Sequence, residues 1–195
     1  MKVLGVCCSP RKRGNTEVML QEALAVARGA GADVEFLTIA GKDIKHCDAC
    51  ETCRKTDRCH IEDDMQDIYP KLLEADGIIF GTPVYFWSVS AQAKTIIDRT
   101  AVFAHKNTLR GKVAGVVVTT ARAGATSAFT VFNNFFNLQR MIMAGGAIGF
   151  SPVASPHGLD EGFLRGGVSN DMLGMDEARA LGKIVVRHIK AKGQR

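Results

Sequence analysis

No stretch of this 195-residue chain approaches the roughly 20 apolar residues that cross a bilayer. The start, Met1-Lys2-Val3-Leu4-Gly5-Val6-Cys7, lacks the basic segment, long apolar core and cleavage site of a secretory signal. A cytoplasmic protein without a membrane partner is therefore expected. The G-x-G-x-x-G turn of dinucleotide-binding folds is missing, and so is the G-x-x-x-x-G-K-S/T loop of nucleotide triphosphatases. No helix-turn-helix, zinc-finger or RNA-binding signature accompanies the net charge of +5. Lys and Arg are spread along the chain, with denser spots at Arg11-Lys12-Arg13 and at Lys190, Lys192 and Arg195. That distribution suits a solvated surface with a local anion site, not nucleic acid. No internal repeat or low-complexity segment is present. No acid–base or nucleophilic constellation stands out, so no catalytic side chain is assigned, and any chemistry would belong to a cofactor.

What is present is the composition of an ordinary globular protein, 46% hydrophobic and 23% charged. The length suits a single domain over residues 1–195. Apolar runs at residues 2–8, 77–81, 113–119 and 145–150 read as strands buried on both faces. The run at 33–38 alternates, Val34 and Phe36 against Asp33 and Glu35, as an edge strand does. Helical patterns fall between them at 16–28, 64–75, 91–104 and 126–143, and at 176–190 after the last. Strands alternating with helices make a doubly wound α/β sheet, for which the flavodoxin-like order 2-1-3-4-5 is the common solution. Ligands in such sheets bind beyond the carboxyl ends of the strands. That rule points to the loops at 9–15, 82–90 and 120–125. Two connections, 39–63 and 151–175, are unusually long for a compact domain, and such connections are usually functional or disordered.

Ser9-Pro10-Arg11-Lys12-Arg13-Gly14-Asn15-Thr16 follows strand 1 and opens helix 1. A helix N-terminus offers free N–H groups and partial positive charge. Ser9, Asn15 and Thr16 add donors, Arg11 adds a bidentate cation, and Gly14 lets the backbone curl. A terminal phosphate monoester fits this loop better than a pyrophosphate. The alternative is an ordinary connection with capping residues. The loop Gly81-Thr82-Pro83-Val84-Tyr85-Phe86-Trp87-Ser88-Val89-Ser90 carries three aromatics, including the only Trp. It can wall a flat, partly apolar ring, with Pro83 stiffening the turn. It can equally cover the sheet end or an oligomer contact.

The strongest signal is Cys47, Cys50, Cys53 and Cys59, a C-x2-C-x2-C-x5-C run of thirteen residues. Such crowding in an intracellular chain points to a metal rather than disulfides. Thiolates three residues apart can wrap one corner of a [4Fe–4S] cube, and the fourth can reach the remaining iron. Structural zinc, which usually takes two separated C-x2-C pairs, stays open as the alternative, as does a site whose cluster has been lost to oxidation. His46 and His60 flank the run as alternative ligands, as donors to sulfur, or as plain surface histidines. Cys7 and Cys8 read as small buried apolar residues.

The S-P-R-x-x-G-N-T run and the G-T-P-V-Y loop at this spacing resemble the NAD(P)H-dependent FMN reductase branch of the flavodoxin-like superfamily. The cysteine motif between strand 2 and helix 2 resembles its iron–sulfur flavoproteins. The likeness covers residues 1–126 well. It implies that Ser9, Arg11, Lys12, Gly14, Asn15 and Thr16 hold the FMN phosphate. Pro83, Val84, Tyr85 and Phe86 would contact the isoalloxazine, and Thr120, Ala121 and Gly124 would flank its other edge. The expected function is a redox protein with FMN and a [4Fe–4S] cluster, exchanging electrons with a one-electron carrier such as a ferredoxin. The alternatives are an NAD(P)H-dependent FMN or quinone reductase, or a non-enzymatic sensor built around zinc or a labile cluster. Tyr85-Phe86-Trp87 and the 151–175 connection lead us to expect a homodimer or homotetramer.

Overall fold

Strand β1 (Lys2–Cys7) is buried on both faces and β5 (Val113–Thr120) is buried throughout, as are the first six residues of β3 (Gly77–Tyr85). These three form the centre of a parallel sheet because their middle residues are apolar on both faces, with the polar Thr82, Thr119 and Thr120 confined to the carboxyl ends. Strands β2 (Asp33–Thr38) and β6 (Ile142–Phe150) are the parallel edges, and their burial alternates or thins. The order is β2-β1-β3-β5-β6, with a short strand β4 (Ser88–Val89) antiparallel to β3. With β4 set aside, this is the expected 2-1-3-4-5. The chain is seen as a computed structural model that describes residues 1–151 and 167–193.

Alternate residues of each strand feed two cores. Val3 and Cys7 of β1 face α1 (Asn15–Gly29) and the C-terminal helix, α7 (Met172–Lys192), where Met19, Leu20, Leu24, Leu181 and Val185 meet them. The two helices cross so closely that a Cβ on Gly182 would stand 2.2 Å from the carbonyl oxygen of Ala23. Leu4 and Val6 face the opposite way, onto α3 (Met65–Glu74), α4 (Ala91–Arg99), α5 (Ala101–Ala104) and α6 (Ala125–Leu138). Phe80 is the centre of that core, its ring 5.2 Å from Phe132 and 5.8 Å from Phe135. Truncating a fully buried Phe such as Phe132 to Ala typically costs about 3–5 kcal/mol. A short helix, α2 (Thr52–Thr56), lies within the cysteine loop. No helix among the described residues is long and apolar enough to cross a membrane.

Several boundaries differ from the sequence reading, each for a local reason. The helix expected over 91–104 breaks at Thr100, whose hydroxyl donates to the Ile97 carbonyl at 2.6 Å and whose ψ of 2° leaves the helical ladder. The helix expected to reach residue 143 stops at Leu138. Arg140 takes a left-handed φ of 56°, Met141 N–H returns to the Phe136 carbonyl, and Ile142 starts the edge strand. α7 begins at Met172, four residues before expectation, where the Asp171 carboxylate caps Gly174 N–H at 3.1 Å. Pro83 lies inside β3 rather than in the turn. The reversal falls at Phe86 and Trp87, whose φ angles of 46° and 64° make a tight hairpin between β3 and β4. The expectation for the 151–175 connection falls mostly on 152–166, outside the described residues.

Candidate functional site

The carboxyl ends of β1, β3 and β5 open onto one cleft. Ser9, Arg11, Gly14, Asn15 and Thr16 line it from the first loop, Pro83, Val84 and Tyr85 from the hairpin, and Thr120 and Ala121 from the loop after β5. Ten residues named from the sequence thus meet in one place. Thr119 and Ser151 line it as well. Sequence reasoning missed both. In the sequence Thr119 is the last residue of an expected strand, and strand ends are where this fold binds ligands. Three others stand outside the lining. Lys12 is exposed beside Gly41, Phe86 is fully exposed at the hairpin tip, and Gly124 packs under the Trp87 backbone with a φ of 92°.

The cleft is braced from below. Thr16 and Thr119 share a hydrogen bond of 2.6 Å between buried hydroxyls, tying α1 to β5. Ser90 donates to the Cys8 carbonyl at 2.7 Å and caps α4 by accepting from Ala93 N–H, so the hairpin is fastened to the end of β1. Ser9 Oγ accepts the Arg11 N–H at 3.1 Å, and Glu17 accepts the Arg13 N–H at 2.7 Å. The Asn15 side-chain oxygen accepts from Val168 N–H at 3.1 Å, which leaves its amide N–H₂ for another partner. No side chain caps the start of α1. Its first N–H groups therefore remain available at a cleft already lined by a cation and hydroxyls, and these residues fit a phosphate group.

The cysteine loop leaves β2 at the same end of the sheet but packs on the other core. Cys47, Cys50, Cys53 and Cys59 line one small pocket, with Arg99, Ala101 and Val102 among its walls. All four are free thiols. Ala49, Glu51 and Asp57 hold left-handed φ angles of 58°, 58° and 59°, which curl the backbone around that pocket. Burial, and then the neighbouring sulfurs of Cys59, Cys50 and Cys47, push the Cys53 thiol above its ordinary pKa. Four thiols crowded in this way need a multiply charged centre if they are to be thiolates together, and the set fits an iron–sulfur cluster. His60 Nε2 lies 2.7 Å from an Asp48 carboxylate oxygen, and Asp48 also accepts the Cys50 N–H at 3.2 Å. Asp48, Cys50 and His60 place one ligand atom each within 4.8 Å of one another. His46 is exposed. The phosphate cleft and the cysteine pocket share no lining residue. Cys7 and Cys8 are buried as expected, and burial pushes the Cys7 thiol up to about 11.

The model of the NADPH-dependent FMN reductase family matches residues 1–154. An iron–sulfur flavoprotein of Methanocaldococcus jannaschii is 38% identical over 192 residues, which is 97% of this chain and 98% of that one. This chain belongs to the NADPH-dependent FMN reductase family, among its iron–sulfur flavoproteins. Such a flavoprotein is a flavin redox protein of the oxidoreductase class. Among solved structures, RosB with bound 8-demethyl-8-formylriboflavin-5'-phosphate superposes with a TM-score of 0.79 at 16% identity, covering 100% of this chain and 81% of that one. A WrbA-like flavodoxin of Agrobacterium tumefaciens superposes with a TM-score of 0.65 at 16% identity, covering 97% of each chain. Both likenesses establish the flavodoxin-like fold of this flavoprotein.

Proposed function

We propose that this flavoprotein binds FMN in the cleft and a [4Fe–4S] cluster on Cys47, Cys50, Cys53 and Cys59, and that it exchanges electrons with a one-electron carrier. When bound, FMN supplies a centre that exchanges electrons singly or in pairs, and the cluster one that exchanges them singly. Ser9, Arg11, Asn15 and Thr16 with the first N–H groups of α1 bind the phosphate. Pro83, Val84 and Tyr85 orient the ring on one side, and Thr120 and Ala121 border it on the other. The four thiols hold the iron. The observation that carries the reading is that all four cysteines of the 47–59 run line a single pocket at the sheet end that also carries the phosphate cleft. Arg54, Lys55 and Arg58 are exposed on that loop, and a carrier with an acidic face, such as a ferredoxin, suits them.

Anaerobic, iron-replete protein is expected to carry four iron atoms per chain and to show flavin bands over broad iron–sulfur absorption. Cys50→Ala should lose the cluster, keep FMN, and slow one-electron exchange sharply while dithionite still reduces the flavin. Iron far below four per chain, or undiminished single-electron exchange by the variant, would refute the cluster reading. A colourless protein holding one zinc would support the sensor alternative. The family's description favours a second reading, in which NADPH delivers hydride to the flavin directly. Anaerobic reduction of the Cys50→Ala flavin by NADPH at the wild-type rate would favour it.

A further inference from the structure

The four cysteines account for iron ligation but not for the shape of the loop that carries them. α2 buries no residue, and Ala49, Glu51 and Asp57 all sit in left-handed conformations without being glycine. Apolar packing on this loop is limited to the partly buried Ile44, Cys53 and Cys59. Its neck is held by polar ties instead. Asp43 N–H and Lys45 N–H donate to the carboxylates of Asp64 and Asp63, at 2.7 and 2.9 Å. Gln66 donates to the carbonyls of Cys59 and Ile61, at 3.2 and 2.7 Å.

At the centre of this neck is a residue that belongs to the body of the fold. Arg99 ends α4, and its side chain and that of Asp63 are wholly buried. Nη1 donates to the Lys45 carbonyl at 2.7 Å and to one Asp63 oxygen at 2.6 Å. Nη2 donates to the other Asp63 oxygen at 3.0 Å and to the Ile61 carbonyl at 3.4 Å. Nε donates to Tyr69 Oη at 3.3 Å. All five guanidinium N–H groups are thereby directed. Lys45 lies two residues before Cys47, and Ile61 two residues after Cys59. One planar cation thus pins both ends of the cysteine run and also walls the pocket the cysteines line.

We infer that Arg99 is a positioning residue for the cluster, closing the neck of the cysteine loop so that the outer ligands Cys47 and Cys59 are held at the pocket before iron arrives. The inference rests on the reading that these cysteines hold a [4Fe–4S] cluster. Lysine cannot replace Arg99 here, because an ammonium has three donors on one atom and cannot span the two strands of the neck.

The test uses the anaerobic holoprotein, Arg99→Lys, and the double variant Arg99→Met/Asp63→Leu, which removes both charges and leaves no buried ion unpaired. Three quantities are read: iron loss to a ferrous chelator, the paramagnetic spectrum of the reduced cluster, and amide exchange of metal-free protein. Arg99→Lys should lose iron about 10- to 100-fold faster than wild type, the usual consequence of removing a partner that orients metal ligands. Its paramagnetic spectrum should shift. Amide exchange should quicken over residues 45–63 and stay unchanged in β5, and FMN affinity should stay within about twofold, since no residue of the cleft touches Arg99. The double variant, if it folds, should repeat the iron loss and the exchange pattern. A folded variant with wild-type iron retention and wild-type loop exchange would overturn the inference. Global unfolding of both variants would overturn it too, since Arg99 would then serve the whole fold. Wild-type protein without iron would instead sink the cluster reading, and the metal-free exchange would still decide whether Arg99 orders the loop.

Discussion

Arg11→Ala tests the phosphate cleft directly, because the loop does not need the side chain it removes. The turn after β1 is fixed by Ser9 Oγ on the Arg11 N–H, a backbone contact that alanine keeps. The Arg11 side chain is exposed and has no ion-pair partner among the described residues, so its loss strands no buried charge. A hydrogen bond to a charged group contributes about 1.5–3 kcal/mol. Arg11 stands at an open rim where water and salt screen it, which places the effect near the lower value. That is about a tenfold rise in Kd for FMN. Riboflavin lacks the phosphate, so its affinity should change by less than about twofold if the guanidinium contacts only the phosphate. Flavin-free protein titrated with each ligand, followed by quenching of flavin fluorescence at low and high salt, measures both. The gap between wild type and variant should narrow as salt rises. Equal weakening of FMN and riboflavin, or none of either, would refute the assignment of the phosphate to this loop.

Gly182→Ala should lower thermal stability by about 1–3 kcal/mol, because the new methyl meets the Ala23 carbonyl where α1 and α7 cross. Gly29→Ala, with open space around its Cβ at the end of α1, should instead gain about 0.5–1 kcal/mol. Lys2 and then Lys71 hydrogen-bond the Glu35 carboxylate and hold its pKa below the usual range. A depressed carboxyl stabilises the fold above its unfolded value and loses that contribution as pH falls through the folded one. Glu35→Gln should thus lower Tm at neutral pH by the equivalent of under about 1 kcal/mol, with the difference shrinking as pH falls below the ordinary carboxylate range. Phe86 and Trp87 are exposed to 104% and 70% at the hairpin tip. If they form a contact between copies of this chain, Phe86→Ser/Trp87→Ser should sediment as a 21.0 kDa monomer where wild type does not.

The fold was legible because β1, β3 and β5 are apolar on both faces, as the central strands of a parallel sheet are. The run at 145–150, expected to be buried on both faces too, is instead in the edge strand β6, with Met143 and Phe150 half exposed. The boundaries were less so. Apolar Met141, Ile142 and Met143 extend the helical pattern of 126–143, and it is the left-handed turn at Arg140 that ends the helix and gives Ile142 and Met143 to the strand. The four thiols were legible from spacing alone, since local chain geometry brings them together. Arg99 was not. Its partners at Lys45, Ile61 and Asp63 lie 54, 38 and 36 residues away, and two of them are carbonyls, which any residue carries. Asn15 reads as a phosphate donor from its place in the loop; that its side-chain oxygen accepts from Val168 N–H, which turns the amide N–H₂ toward another partner, is something only the folded chain shows.

A further part of the site was hidden for a different reason. Eight non-glycine residues among those described have positive φ. Two of them, Asn107 and Arg140, serve turns between elements. The other six are Arg13 in the phosphate loop, Ala49, Glu51 and Asp57 around the thiols, and Phe86 and Trp87 at the hairpin beside the cleft. Each costs about 1–2 kcal/mol relative to an ordinary conformation. A glycine at any of them would have relieved the strain and announced the turn. Instead ordinary side chains are held there by the surrounding bonds, such as those from Glu17 to Arg13 N–H and from Lys106 to Asp57. Strain kept in this manner marks segments whose shape is specified beyond what stability asks, and here it gathers on the three loops that the proposed cofactors would occupy.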